Sequence, residues 1–565
     1  MSRVSEREKR VILGRRTPRL DLEILIAIGL ICGIAVFALA RIDDYGITTD
    51  EWNADAYGAK AIAWYRSGFT DRAMFTDVED TLWYYGPWFH MLVSAVQSLG
   101  LGEHWNVRHA MTFLCGLGGI ALLLPIGRLA IGRWAGLTGI VLCLTTGYLY
   151  GSLFSTPIDV PFLFAMTAAL AGIMLMADRP VPSWGASISA GLLTGLAIAT
   201  RSSGFIAQAY LVGAMVLCAI RVVTTRQHWR SDLGRIALRT AGALAAGWLA
   251  AFCLWPWLQI GNPVSQFVEA FSYFANHPSS WTLLHWGQTV MTNDLPWHYV
   301  PGQLAARLPL VFIGLIVVAI VLGLWMVIVH WDWRGLRDRQ SRTRAIAALV
   351  TRERRQMAIL CAATLLPIVF VIVAGSTLYN GLRHLLFVIP LLALFAAAGF
   401  VWLLPWLCRL PILTAGAVSA YIGWQAATLS VLHPLEYIAF NTLAGGVHGA
   451  YNRFNMDYWA AAATIALRRL EDRVALEVPS DAPPPKLLVC MPWREWLTAS
   501  MYRRPWRLTL KAAEADYIIA TEPQPGCAAG QPVVLIDEVK RYDRAFAWTY
   551  ARRPGAAALS AAPRP

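Results

Sequence analysis

Long apolar runs separated by short polar breaks dominate this chain. Runs of about 18 or more residues recur, each long enough to cross the hydrocarbon core of a bilayer. They predict helices at 22–40, 106–127, 134–152, 158–177, 184–203, 204–221, 239–258, 308–330, 356–374, 385–404 and 411–430, about 11 in all. The runs lack the residue-by-residue alternation of a transmembrane β-barrel. The segment GPWFHMLVSAVQSLG, 86–100, is short, and a crossing there would invert every later loop. It reads as an interfacial or re-entrant helix. Ala38-Leu39-Ala40 resembles a signal-peptidase site, but the run before it is long for a cleaved signal and reads as a retained helix.

Composition supports an α-helical polytopic membrane protein: 57% of the 565 residues are hydrophobic and 15% are charged. The formal net charge of +13 invites a nucleic-acid partner. Its distribution argues against one. The basic residues gather before the first run (Arg3 to Arg19), at Arg221–Arg239 and at Arg334–Arg355. With a cytoplasmic N-terminus, loops 128–133, 178–183, 222–238, 331–355 and 405–410 lie inside, and every strongly basic loop obeys the positive-inside rule. Seven of the nine cysteines lie in or beside apolar runs; only Cys490 and Cys527 fall in the hydrophilic tail, where one disulfide is open to them if the tail is extracytoplasmic. There is no CxxC pair or zinc-like spacing.

The expected organisation is a basic cytoplasmic tail (1–21), a transmembrane domain (22–430), a periplasmic connector (431–479), a small α/β domain (480–550) and a disordered end (551–565). SDAPPPK reads as the linker, and KLLVCMP, DYIIATE and PVVLIDEV as strands. Polar chemistry concentrates on the outer face. The loop from 41 to 105 is acidic, with Asp43, Asp44, Asp50, Glu51, Asp55, Asp71, Asp77, Glu79, Asp80 and Glu103. The loop 259–307 is rich in Trp, His and Pro.

Four places there carry candidate chemistry. Asp50 and Glu51 sit side by side, with Asp55, Tyr57 and Lys60 following at helical spacing. A partly desolvated carboxylate at a membrane interface serves as a general base for a hydroxyl, although solvated loop acids are the ordinary reading. Asp159 lies between Pro157 and Pro161 where a helix begins, as a helix-capping Asp would. Asp294, Trp297, His298 and Tyr299 belong to NHPSSWTLLHWGQTVMTNDLPWHYVP, 276–301, which composition reads equally as an aromatic interfacial belt or a stacking platform for sugar rings. Tyr379, Arg383 and His384 stand at the mouth of a helix in STLYNGLRHLLF, and Arg201 has a similar position in ATRSSGF. Two such Arg facing an acidic loop suit a phosphate, or simply snorkel; Lys60 and Arg307 are weaker candidates. No Walker, Rossmann, His-Glu-x-x-His or nucleophile-elbow motif is present, which argues against a soluble sugar-nucleotide donor.

Taken in order, the Asp-Glu pair, Pro157–Pro161, NDLPWHYVP, YNGLRHLLF and HPLEYIAFNTLAGGVHGAYNRFNMDYW (433–459) resemble bacterial membrane glycosyltransferases of the family 39 type. These are related to the protein O-mannosyltransferases and the lipid A aminoarabinose transferases. The resemblance covers roughly residues 22–460 and implies a GT-C fold whose site faces the periplasm. It implies a polyprenyl-phosphate sugar as donor, with Asp50 as base and Glu51 beside it. By our own extension Arg383, Arg201, His384 and Lys60 hold the donor phosphate, and Trp297, His298, Tyr299, Asp294 and Tyr379 contact sugar or acceptor. Asp159 is expected to orient the acceptor or to help bind a divalent cation; metal use varies among such folds and stays open. The middle loop is short compared with the eukaryotic O-mannosyltransferases, which leaves the acceptor open among protein, lipid and envelope glycan. A transporter or lipid-flipping protein and a catalytically inactive family member are the alternatives.

Overall fold

A computed structural model describes residues 21–76, 81–275, 280–330, 343, 346–479, 482–491 and 506–553. The basic N-terminal stretch, Asp77, Glu79, Asp80 and most of the 331–345 loop lie outside the described residues.

The chain is a multi-pass helical membrane protein. Among the described residues, 8 helices are long and apolar enough to cross a membrane, or up to 9 if one bent pair is a single span. All the predicted segments are helical, but they differ in length. Trp184–Ile198 has only 15 residues, and Pro411–Leu432 is helical without counting among the spans. Trp229–Leu254 begins ten residues before the expected 239, because Asp232 in its first turn pairs with Arg226 and Arg235 and carries the helix into the basic loop.

The helix expected at 134–152 is broken. Ala135–Leu144 and Gly147–Ser155 meet at 73°. Thr145 and Thr146 donate their hydroxyls back to the carbonyls of Val141 and Leu142, at 2.8 and 2.7 Å, and Thr146 turns extended. Such back-bonding Thr residues bend helices. The segment 86–100 forms the 10-residue helix Trp88–Gln97, too short to cross.

Asp159–Met176 is the central helix, buried at nearly every position. It packs against Trp184–Ile198, His104–Ala121 and Ile206–Thr225. Trp184–Ile198 in turn lies close on Trp229–Leu254, where a Cβ on Gly191 would run into the Ala243 carbonyl.

The C-terminal unit is a five-stranded mixed sheet in the order Arg507–Leu508, Lys486–Cys490, Tyr517–Ala520, Arg544–Arg552, Val533–Arg541. The first three run parallel, and the last two form an antiparallel hairpin. Helix Ala461–Glu477, within the expected connector, covers one face: Leu467, Leu470 and Val474 share a core with Leu487, Val489, Ile519 and Phe546. The last strand runs on to Arg552, two residues into the end expected to be disordered, because Ala551 pairs with Tyr517 and Arg552 with Val533. Cys490 and Cys527 are joined in a disulfide.

Candidate active site

Four of the charged residues singled out above converge at one end of the bundle. Asp159 is 2% exposed and is the first residue of its helix. Its Oδ1 accepts from Arg201 Nη1 at 3.0 Å, and its Oδ2 accepts from Arg383 Nε at 3.1 Å. Arg383 reaches further and donates Nη2 to Asp50 Oδ2 at 2.8 Å. The result is a chain, Arg201–Asp159–Arg383–Asp50, with two cations and two anions. Both arginines are less than 10% exposed, whereas the Asp50 side chain is 30% exposed. Asp50 is the accessible end.

Each member is held by local structure. Thr48 donates its backbone N–H to Glu51 Oε2 at 2.9 Å, half of a capping box that starts helix Thr49–Arg66 and puts Asp50 in its first turn. Tyr85 and Arg201 pair as an antiparallel bridge, and the Gly86 N–H donates to the Thr200 carbonyl at 3.3 Å. A Cβ on Gly86 would collide with the Ala199 carbonyl, so this close approach needs glycine. Arg383 follows a turn in which Asn380 and Gly381 have φ of 57° and 70°. Its guanidinium lies 4.5 Å over the Trp459 ring and 5.3 Å over Tyr379. Arg201 stands 5.8 Å over Tyr85 and 5.9 Å over Phe274. Burial alone would lower the Arg383 pKa, but Asp50 and Asp159 hold it well above the usual value. Arg383 is a permanent cation.

The neighbouring acids do other work. Glu51 is fully buried; besides Thr48 it pairs with His109 Nε2 at 3.0 Å. Asp55 takes Arg108 at 2.7 Å and His104 at 2.8 Å, tying helix Thr49–Arg66 to helix His104–Ala121. Burial pushes the Asp55 carboxyl up, yet these two partners bring it below the ordinary carboxylate value.

The remaining expected site residues are placed as follows. Tyr379 and His384 lie against each other at 4.5 Å. Trp281 from the 259–307 loop meets Tyr379 edge-on at 4.8 Å, so that loop does reach the site. The stretch NDLPWHYVP does not carry the contact. Asp294, Trp297 and His298 are exposed, and Tyr299 is buried against His285 at 4.9 Å. Lys60 lies ten residues beyond Asp50, about 15 Å along the helix axis. Arg307 is consumed elsewhere, stacked at 4.3 Å on Tyr148 and 4.2 Å on Phe440, with Nη1 donating to the Tyr437 carbonyl.

Sequence reasoning passed over Tyr85, Tyr148 and Trp459 as individuals. Tyr148 accepts from the Leu382 N–H at 3.1 Å and so braces the turn before Arg383. Trp459 closes the quoted motif 433–459, and its position there is the one signal that pointed to it. Whether Asp159 helps to bind a divalent cation was left open above. Both Asp159 oxygens are taken by guanidinium groups, and among the described residues no group of three or more His, Cys, Asp or Glu is gathered to hold a metal.

The chain is similar to ArnT. Two structures of ArnT from Cupriavidus metallidurans match it: the apo state at 15% identity, TM-score 0.47, covering 93% of this chain and 97% of that one, and the form bound to undecaprenyl phosphate at 16% identity, TM-score 0.42, covering 95% and 99%. The Archaeoglobus fulgidus oligosaccharyltransferase complex with Zn and sulfate matches at 14% identity, TM-score 0.35, covering 77% of this chain and 59% of that one. No protein-family model and no curated protein matches the chain.

Proposed function

We propose that this protein is a GT-C membrane glycosyltransferase that moves a sugar from a polyprenyl-phosphate carrier to a hydroxyl acceptor on the periplasmic face, with inversion at the anomeric carbon. The observation that carries the reading is the pairing of an accessible carboxylate, Asp50, with a buried permanent cation, Arg383, at one end of the bundle. Such a transfer needs one base behind the anomeric carbon and cations on the leaving phosphate.

Asp50 Oδ2 occupies the place on Arg383 that a phosphate oxygen takes when donor arrives. A phosphodiester displaces it, because the guanidinium fork matches phosphate as well as carboxylate. The freed Asp50 then accepts the acceptor's proton. Arg201 and Arg383 bear the charge that develops on the leaving phosphate. Asp159 is a positioning residue, aiming both guanidiniums, and Glu51 is the structural half of the pair. The polyprenyl chain lies in the membrane, the N-terminus in the cytoplasm and the sheet domain in the periplasm, in an inner-membrane protein.

The test is direct. Purified protein in lipid is given labelled polyprenyl-phosphate sugars and a crude envelope extract. Label leaving the carrier for a new product supports the reading. No label leaving any carrier, with the protein shown to be folded, contradicts it and favours a transporter or an inactive relative.

A further inference from the structure

Trp459 is 2% exposed, and its indole N–H is fully buried with no acceptor. Other buried tryptophans of this chain are satisfied. Trp64 donates to Gln259 Oε1 at 3.0 Å, Trp255 to the Trp83 carbonyl at 2.9 Å and Trp257 to the Gln266 carbonyl at 2.8 Å. Among the described tryptophans, Trp459 alone keeps a buried N–H without a partner. Burying a donor in this way is unfavourable, because its hydrogen bond to water is lost and nothing replaces it. A phenylalanine would serve the surrounding apolar core, which includes Ile47 and Leu467, without that cost.

The backbone around this ring is strained. Asp457 and Ala460, on either side of Tyr458 and Trp459, have φ of 42° and 52°. The left-handed region is disfavoured for residues with a Cβ, and such residues gather at functional sites. Here the strain is held by bonds at both ends. The Asp457 carboxyl accepts from Tyr437 Oη and from the N–H groups of Ala461 and Ala462, the latter at 3.0 and 3.2 Å. Tyr458 donates Oη to the Tyr148 hydroxyl at 3.3 Å, and Tyr148 accepts from the Leu382 N–H. The stretch is thereby tied to the turn that carries Arg383, whose guanidinium lies 4.5 Å over the Trp459 ring. The unpartnered N–H therefore belongs to the ring on which the cation of the site rests. A phosphate that accepts from Arg383 at about 2.9 Å has further oxygens to offer and spans a second donor this close.

We propose, resting on the glycosyl-transfer reading above, that Trp459 binds the donor: its indole N–H donates to one phosphate oxygen of the polyprenyl-phosphate carrier while Arg383 holds another. The phosphate gains this bond as it displaces Asp50 from Arg383. The N–H is then satisfied in the complex and not in the free protein, so the cost of burying it is recovered on binding. The face of one ring seats the cation and its edge takes the anion. A fixed donor in a buried place also stabilises the charge that grows on the leaving phosphate.

The experiment uses the full chain in lipid nanodiscs, with Trp459→Phe, which keeps an aromatic face for Arg383 and removes the N–H. Trp64→Phe is the control, an equally buried ring whose N–H has its acceptor. Unfolding temperatures confirm that both variants fold. The probes are a polyprenyl phosphate and the polyprenol of the same length, which lacks the phosphate. Trp459→Phe should bind the phosphate about tenfold more weakly than the wild type does, and the polyprenol equally well. Trp64→Phe should bind both like the wild type. In protein labelled with ¹⁵N-tryptophan, the indole resonance missing from Trp459→Phe should shift on adding the phosphate and stay in place with the polyprenol. Unchanged phosphate affinity in Trp459→Phe, or a resonance that does not move, overturns the assignment, and label still leaving the carrier in the wild type keeps the transfer reading. An equal loss of polyprenol binding also overturns it, since Trp459 is then a packing residue. A Trp459-dependent affinity and resonance shift, with no label leaving any carrier, uphold the assignment and remove the transfer reading.

Discussion

Replacing Asp159 by Asn tests whether one buried carboxylate positions both arginines. Asp159 holds two charge-assisted bonds, at 3.0 and 3.1 Å, at 2% exposure. Removing one partner of a buried ion pair typically costs about 3–5 kcal/mol, since the opposite charge stays buried. Asn keeps one carbonyl acceptor, so about 2–3 kcal/mol is expected here, with each charged bond contributing about 1.5–3 kcal/mol. The variant leaves two guanidiniums facing Asp50 alone, a net charge of +1 in the cluster. A phosphodiester then supplies the missing anion. Three results follow: a lower unfolding temperature in nanodiscs, a larger rise of that temperature on adding donor than the wild type shows, and a kcat about a hundredfold lower without a higher donor KM. An unfolding temperature equal to wild type, or equal protection of both proteins by donor, would refute the assignment.

Gly86→Ala should force the Ala199 carbonyl away, break the Tyr85–Arg201 bridge and cost activity as well as stability, whereas Gly29→Ala, with open space at its Cβ, should do neither; unfolding and turnover of the two variants check this. Asp457 has its carboxyl pKa raised from 3.8 to about 7. The folded state therefore keeps a proton there that the unfolded chain loses, and this contribution is present below 3.8 and lost as pH rises through about 7. Asp457→Asn should flatten the decline in unfolding temperature between about pH 4 and 7; an unchanged slope would contradict the sign.

The apolar periodicity made most of the bundle legible, and the charged residues that matter stood out because they interrupt or end apolar runs. Asp159 and Arg383 were visible in that way. Their partnership was not, because it joins positions 224 residues apart. Adjacent acids are also indistinguishable in one dimension. Only the packing of helix His104–Ala121 sends Glu51 to His109 and leaves Asp50 facing the site. Aromatic richness marked the middle loop but not which of its rings reaches the site: Trp281 meets Tyr379, while Trp297 is exposed. The break at Thr145–Thr146 was hidden because hydropathy does not register hydroxyls bonding back to their own helix. Three of the five strands of the tail read from their apolar runs; Arg507–Leu508 and Arg544–Arg552 did not, and the helix that covers the sheet lay in what looked like a connector.

The most direct measurement of the central claim compares Asp50→Asn with Glu51→Gln in the labelled-carrier assay, alongside their unfolding temperatures. The account predicts that Asp50→Asn folds like the wild type and releases label about 10²–10⁴-fold more slowly, as for loss of a general base. It predicts that Glu51→Gln is destabilised, yet keeps its turnover per folded molecule. A fully active Asp50→Asn, or a stable and inactive Glu51→Gln, would contradict it.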